Sequence, residues 1–91
     1  MKTKIQVFMV DDNKEVVNEV KKYFSSKNVG VEIVGSCFNG EDALNELKKN
    51  YGSYDLVLMD LVIPKRDGLS VLEELKKENI NIKSIITTCI N

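Results

Sequence analysis

No histidine occurs in the 91 residues. A Ser-His-Asp triad, an imidazole metal site and a phosphohistidine donor are all excluded by that absence. Cysteine is scarce as well. Cys37 and Cys89 stand far apart without metal-type spacing and read as buried free thiols of a reducing compartment, with a disulfide unsupported. An excess of one charge is also missing: 13 basic residues against 14 acidic ones leave a net charge of −1, which carries no electrostatic footprint of a nucleic-acid binder. Apolar runs fall far short of a bilayer's thickness, and Met1-Lys2-Thr3-Lys4 leads straight into a strand-like segment, so neither a membrane span nor a signal peptide is expected. Whatever chemistry exists must come from carboxylates, hydroxyls and lysines.

What is present suits a small folded domain. A hydrophobic share of 43% with 30% charged residues fits a globular chain and not a disordered tail. At this length one domain, residues 1–91, is expected, burying about 60–65% of its chain surface and only marginally stable. Lys4 to Val10 is a β-branched and aromatic run that ends in Asp11-Asp12-Asn13, as a strand buried on both faces would. From Asn13 to about Lys27, Val16, Val17, Val20 and Phe24 recur at helical spacing among Lys and Glu. The turn signal Asn28-Val29-Gly30 precedes a second strand, Val31 to Cys37. A second helix over Gly40 to Asn50 puts Ala43, Leu44 and Leu47 on one face and gives way to a loop at Gly52 and Ser53. Asp55 to Met59 reads as the third strand, Gly68 to Glu78 with Leu69, Leu72 and Leu75 as the third helix, and Ile82 to Thr88 as the fourth strand. Strict alternation with short connections predicts an α/β fold, a parallel sheet with helices on both faces.

Acids fall where such a sheet binds ligands, beyond the carboxyl ends of the strands at the point where strand order reverses. Asp11 and Asp12 close the first strand and Asp60 the third. If those strands are neighbours, three carboxylates converge, an arrangement that mutual repulsion disfavours unless a cation compensates. A hard divalent ion such as Mg²⁺ would do so, taking a few carboxylates, a backbone carbonyl and waters. The competing explanation is structural, since Asp12 or Asn13 could simply cap the first helix. Capping does not account for Asp60, which is followed by Leu61-Val62-Ile63-Pro64-Lys65-Arg66-Asp67-Gly68 and not directly by a helix.

With "VDDN" and "MDLVIPKRDG" in place, the whole chain resembles the receiver domain of two-component response regulators. "VDDNKEVV", "NGEDAL" and "DGLSVLEELKK" look most like the receiver of the sporulation stage-zero transcription regulator. The resemblance implies a flavodoxin-like, doubly wound parallel sheet, and it makes Asp60 the phosphoacceptor. It places Mg²⁺ on Asp11, Asp12, Asp60 and the main-chain carbonyl of Val62. Pro64 and Gly68 would shape the loop beyond the acceptor, a role compatible with ordinary turn punctuation. Ile63 stands where the family usually has Met, and Asp67 is expected to cap the third helix. A hydroxyl at the end of the fourth strand would bind a phosphoryl oxygen and couple phosphorylation to a switch: Thr87, with Thr88 as the alternative, although Thr is also a good strand former.

Receivers normally continue with a helix, a fifth strand ending in a Lys that pairs with the phosphoryl group, and a last helix. The fold is therefore expected to be truncated after its fourth strand, with no lysine at the matching position and Lys65 a solvated loop residue. A free edge of Ile85, Ile86 and Thr87 would then invite a homodimer through edge pairing or exchange of elements, and part of the first helix's apolar face would lose its cover. The leading expectation is a cytoplasmic phosphoacceptor of a two-component or phosphorelay system, partnered by a histidine kinase or phosphotransferase. It would act on no outside substrate and bind no nucleic acid through this chain. A degenerate receiver that docks proteins or acts as a decoy, or a fragment of a DNA-binding regulator, remains the alternative.

Overall fold

A computed structural model describes residues 4–27, 29–61, 63, 65 and 67–87. In chain order these form β1 (Ile5–Val10), α1 (Lys14–Lys27), β2 (Val31–Cys37), α2 (Gly40–Asn50), a 3-10 turn (Tyr51–Ser53), β3 (Leu56–Asp60), α3 (Gly68–Lys77) and β4 (Ser84–Thr87). The sheet runs β2-β1-β3-β4 with every neighbouring pair parallel. From β1 the chain steps outward to β2, then crosses back to β3 on the other side of β1. The reversal of strand order therefore lies between β1 and β3.

Strand residues alternate between two unequal layers. Phe8 and Val10 of β1 and Val57 and Met59 of β3 face α2 and α3, meeting Ala43, Leu44, Leu47, Val71 and Leu75 in one core. Val7 and Met9 are buried on the opposite face, where α1 supplies Val17. The α2/α3 layer is locked further by Tyr54, whose ring lies 4.9 Å from that of Phe8 and whose hydroxyl donates to the Glu46 carboxylate. Burial, followed by that bond, pushes the Tyr54 phenol up to about 12. Gly35 fits under this pair, since a Cβ there would stand 3.0 Å from the Phe8 ring and 3.2 Å from the Tyr54 hydroxyl. The β1–β2 register shifts between Val7 and Phe8, leaving Val34 as the extra residue.

Several expected details shift. Asp60 belongs to β3, and the 3-10 turn occupies the expected Gly52–Ser53 loop. On α1, Val17 is buried while Val16, about 100° round the helix from it, is 39% exposed. On α3 the buried stripe is Gly68, Val71 and Leu75, and Leu69 is 54% exposed because it lies to one side of that 3.6-residue line. β4 is shorter than the expected strand, starting at Ser84.

Helix α3 ends in a Schellman motif. Asn79 adopts φ 60°, its N–H donates to the Lys76 carbonyl at 3.0 Å, and the Ile80 N–H donates to Leu75 at 2.9 Å. Left-handed backbone at a β-branched residue costs about 1–2 kcal/mol. Asn79→Val is expected to lower stability by about that amount, with Asn79→Gly unchanged or slightly more stable, read from urea unfolding midpoints.

Candidate metal centre at the carboxyl rim of the sheet

β1 and β3 pair through Val10↔Met59, so one further step brings Asp11 level with Asp60 at the strand-order reversal. The side chains follow: one carboxylate oxygen each from Asp11, Asp12 and Asp60 lie within 4.8 Å of one another. Capping does not hold the first two acids there. Asn13 caps α1, its side-chain oxygen accepting from the N–H groups of Glu15 at 3.0 Å and Val16 at 3.2 Å. The Asn13 N–H in turn donates to Asp11 Oδ1 at 2.9 Å, fixing that carboxylate to the start of the helix.

The electrostatics match an ion site. Burial raises the Asp11 carboxyl above its ordinary value of 3.8, the Asn13 N–H opposes the shift, and the charges of Asp60 and Asp12 add to it. A carboxyl raised in the folded state holds its proton more tightly there than in the unfolded chain, so ionising it costs stability. Without metal, stability is expected to fall as pH rises from the unfolded value near 3.8 through the raised folded value, and to be flat above it. Urea unfolding in EDTA across that window tests this. Asp11→Asn should flatten the slope, and Mg²⁺ should offset the loss above it.

The donor set fits a hard octahedral cation. Oxygens on opposite sides of an ion bound at 2.0–2.1 Å stand about 4.2 Å apart, so the 4.8 Å spread needs only slight tightening. Carboxylates without thiolate or imidazole suit Mg²⁺, Ca²⁺ or Mn²⁺ and not zinc.

Around the acids, Thr87 of β4 pairs with Asp60, and its carbonyl accepts from the Leu61 N–H at 2.9 Å. Its hydroxyl lies 3.4 Å from the Met59 carbonyl oxygen. Asp11, Asp60 and Thr87 also border a pocket of about 360 Å³ whose apolar side is Met9, Val16, Val20 and Leu58. Gly68 is the first residue of α3, where the expected third helix begins, and it is buried. A Cβ on it would stand 2.9 Å from the Asp60 carbonyl oxygen and 3.0 Å from Met59 Sδ. Asp67 caps α3, accepting from the Ser70 N–H at 2.8 Å. Lys65 is exposed, with φ 70°. Val62, Pro64, Thr88 and Cys89 lie outside the described residues. Cys37 is a free, half-buried thiol that burial, with Asp42 and Glu46, pushes up to about 11, so it stays protonated at neutral pH.

Residues 7–91 match the response regulator receiver domain. The chain belongs to that family. It is 33% identical over 87 residues to a probable C4-dicarboxylate response regulator, DctR, of Halalkalibacterium halodurans, covering 96% of this chain and 36% of the relative. It is 31% identical over 84 residues to the transcriptional regulatory protein DltR of Streptococcus agalactiae, covering 92% and 35%. The chain thus spans about a third of the length of these curated relatives. Among solved structures, the receiver domain of Francisella response regulator 1452 superposes with a TM-score of 0.79 at 31% identity, covering 96% of this chain and 68% of that one. A chain of the CheX–CheY–BeF₃–Mg²⁺ complex of Borrelia burgdorferi gives 0.81 at 28%, covering 94% and 63%. The flavodoxin-like receiver fold expected from the sequence is therefore the one observed. As receiver residues, Asn13 and Gly68 escape sequence reasoning in part: Asx before a helix is an ambiguous signal, and nothing in Asp67-Gly68 reveals a close approach to the Asp60 backbone.

Proposed function

We propose that this receiver accepts a phosphoryl group on Asp60 in a two-component or phosphorelay pathway. The observation that carries the reading is the convergence of three carboxylates at the strand-order reversal, with Asp60 between Asp11 on one side and its pair Thr87 on the other. An Asp60 carboxylate oxygen attacks the phosphorus of a phosphohistidine on a kinase or phosphotransferase, or of a small donor such as acetyl phosphate. A bond to the acceptor forms as the P–N or P–O bond breaks, and the imidazole or acetate departs with the electron pair, leaving an acyl phosphate. Asp11, Asp12, Asp60 and the Val62 carbonyl would hold Mg²⁺, which when bound neutralises charge on the phosphoryl oxygens. The Asn13 N–H keeps Asp11 oriented, and the Thr87 hydroxyl is the donor available to a phosphoryl oxygen.

The chain acts on its own aspartate and on no outside substrate. No helix among the described residues is long and apolar enough to cross a membrane, and we assign the domain to the cytoplasm, where a phosphohistidine donor would meet it. Kinship with the sporulation regulator rests on the three sequence motifs, and the two curated relatives named above carry other names.

Incubation with acetyl phosphate and Mg²⁺ should add one phosphoryl group by intact mass, and EDTA should prevent it. A wild-type chain that stays unmodified under both conditions would leave only a docking role.

A further inference from the structure

We infer that Lys14, its ammonium braced on the face of Phe38, is a positioning residue that draws the doubly charged phosphoryl group of a small donor to the acid cluster. The inference rests on the phosphoacceptor reading above and deepens it by naming a donor class, small anionic acyl phosphates. Lys14 is the first residue of α1 and follows the cap Asn13, whose N–H holds the Asp11 carboxylate. It lines one open hollow with Asp12, Asn13 and Glu15. Phe38 reaches the same rim from the end of β2. The Asp11 N–H donates to the Cys37 carbonyl at 3.2 Å, which sets Phe38, the next residue, beside the first acid. Asn39 then caps α2. The Lys14 Nζ lies 5.1 Å from the centroid of the half-buried Phe38 ring, so a cation–π contact joins the starts of α1 and α2 on the β2 side of the cluster.

Two physical arguments give the contact a use. A cation in the first turn of a helix opposes the dipole, which favours acids there. The other helices obey: α2 opens Gly40-Glu41-Asp42, and the first turn of α3 carries no lysine. Lys14 works against its own helix, and Glu15, about 100° round from it, supplies the acid that the dipole favours. Charge balance is the second argument. After a divalent ion offsets the three carboxylates, one unit of negative charge remains, and it faces a phosphoryl group that is itself doubly charged. The Lys14 ammonium offsets that unit at the mouth of the site. Phe38 fixes where the charge sits, since a lysine stem already resting on a ring has less rotamer freedom to lose when the donor arrives. The ammonium keeps its proton and makes no covalent bond, so the Asp60 oxygen still forms the only new one.

Three variants of the full chain test this with acetyl phosphate and Mg²⁺. Lys14→Gln should raise the KM for acetyl phosphate about fivefold, the loss falling on KM rather than on kcat because the charge acts on capture. Lys14→Arg should recover most of it, since a guanidinium rests on an aromatic face as an ammonium does. Phe38→Leu keeps the charge but frees it, and should raise KM about twofold. Added salt should weaken capture by wild type more than by Lys14→Gln. A second readout needs no donor. Removing a cation beside three carboxylates should tighten Mg²⁺ binding about threefold in Lys14→Gln, read from Mg²⁺-dependent melting. A brace that only ties α1 to the residues after β2 would lower the melting temperature and leave KM and Mg²⁺ affinity at their wild-type values, a result that overturns the inference. Lys14→Arg behaving no better than Lys14→Gln overturns it as well. A wild type that takes no phosphoryl group defeats the proposed function, and donor capture with it.

Discussion

Asp60→Asn is expected to abolish the acyl phosphate while leaving the domain folded. The amide has the shape of the carboxylate and keeps an oxygen that can accept hydrogen bonds, so the β3 rim should not rearrange. It lacks the anionic oxygen that attacks phosphorus, and no neighbour replaces it: Asp11 is held by the Asn13 N–H, and Asp12 is an exposed side chain. The substitution also removes one of three charges grouped within 4.8 Å. Mg²⁺ affinity should drop by about tenfold or more. At a concentration 100 times the wild-type dissociation constant the ion adds about 2.7 kcal/mol of stability, and a tenfold loss of affinity should cut that gain to about 1.4 kcal/mol. Intact mass and Mg²⁺-dependent melting read the two effects independently. A phosphoryl group persisting on Asp60→Asn would move the acceptor role to another residue.

Gly68→Ala should have the second largest effect, and it should act on stability and chemistry together. The new methyl would meet a backbone oxygen at 2.9 Å as well as the flexible Met59 side chain at 3.0 Å. Met59 can turn aside, but the Asp60 carbonyl moves only if the strand end or the whole helix moves. Overpacking of this kind costs about 1–3 kcal/mol, or a fall of about 4–8 °C in melting temperature per kcal/mol for a domain of this size. Because the displaced atom belongs to Asp60, the proposed acceptor, phosphorylation should slow as well. Met59→Ala in the Gly68→Ala background relieves the side-chain contact and not the backbone one, so it should leave the phosphorylation defect in place. Its recovery in the double variant would assign the clash to Met59.

The main features of this fold were legible because they rest on periodicity and on acids at strand ends. Unbroken apolar runs such as Leu56–Met59 and stripes such as Ala43, Leu44 and Leu47 have few physical readings, and a parallel sheet brings the ends of β1 and β3 together. Details decided by tertiary contact were not legible. Asp12 and Asn13 are both good caps, and only the coordinates show Asn13 in that role. Leu69 and Val16 are as apolar as their buried neighbours, yet their angular positions leave them half in solvent. The extra residue at Val34 depends on where Phe8 and Tyr54 need Gly35, which is a packing constraint between β1, β2 and the residue after the 3-10 turn. Pro64, Val62 and Thr88 fall outside the described residues, so the loop carbonyl and the second hydroxyl stay with the sequence expectation.

Because all four strands run the same way, each connecting helix begins at the rim that holds the acids. Asn13, Asn39 and Asp67 therefore place three helix N-termini toward that edge of the sheet, each equivalent to roughly half a positive charge from its aligned peptide dipoles. The three carboxylates alone make the site anionic, but the backbone surrounds it with a fixed field of opposite sign. That field is set by chain direction, so surface substitutions cannot remove it and salt screens it little where the helix starts are buried.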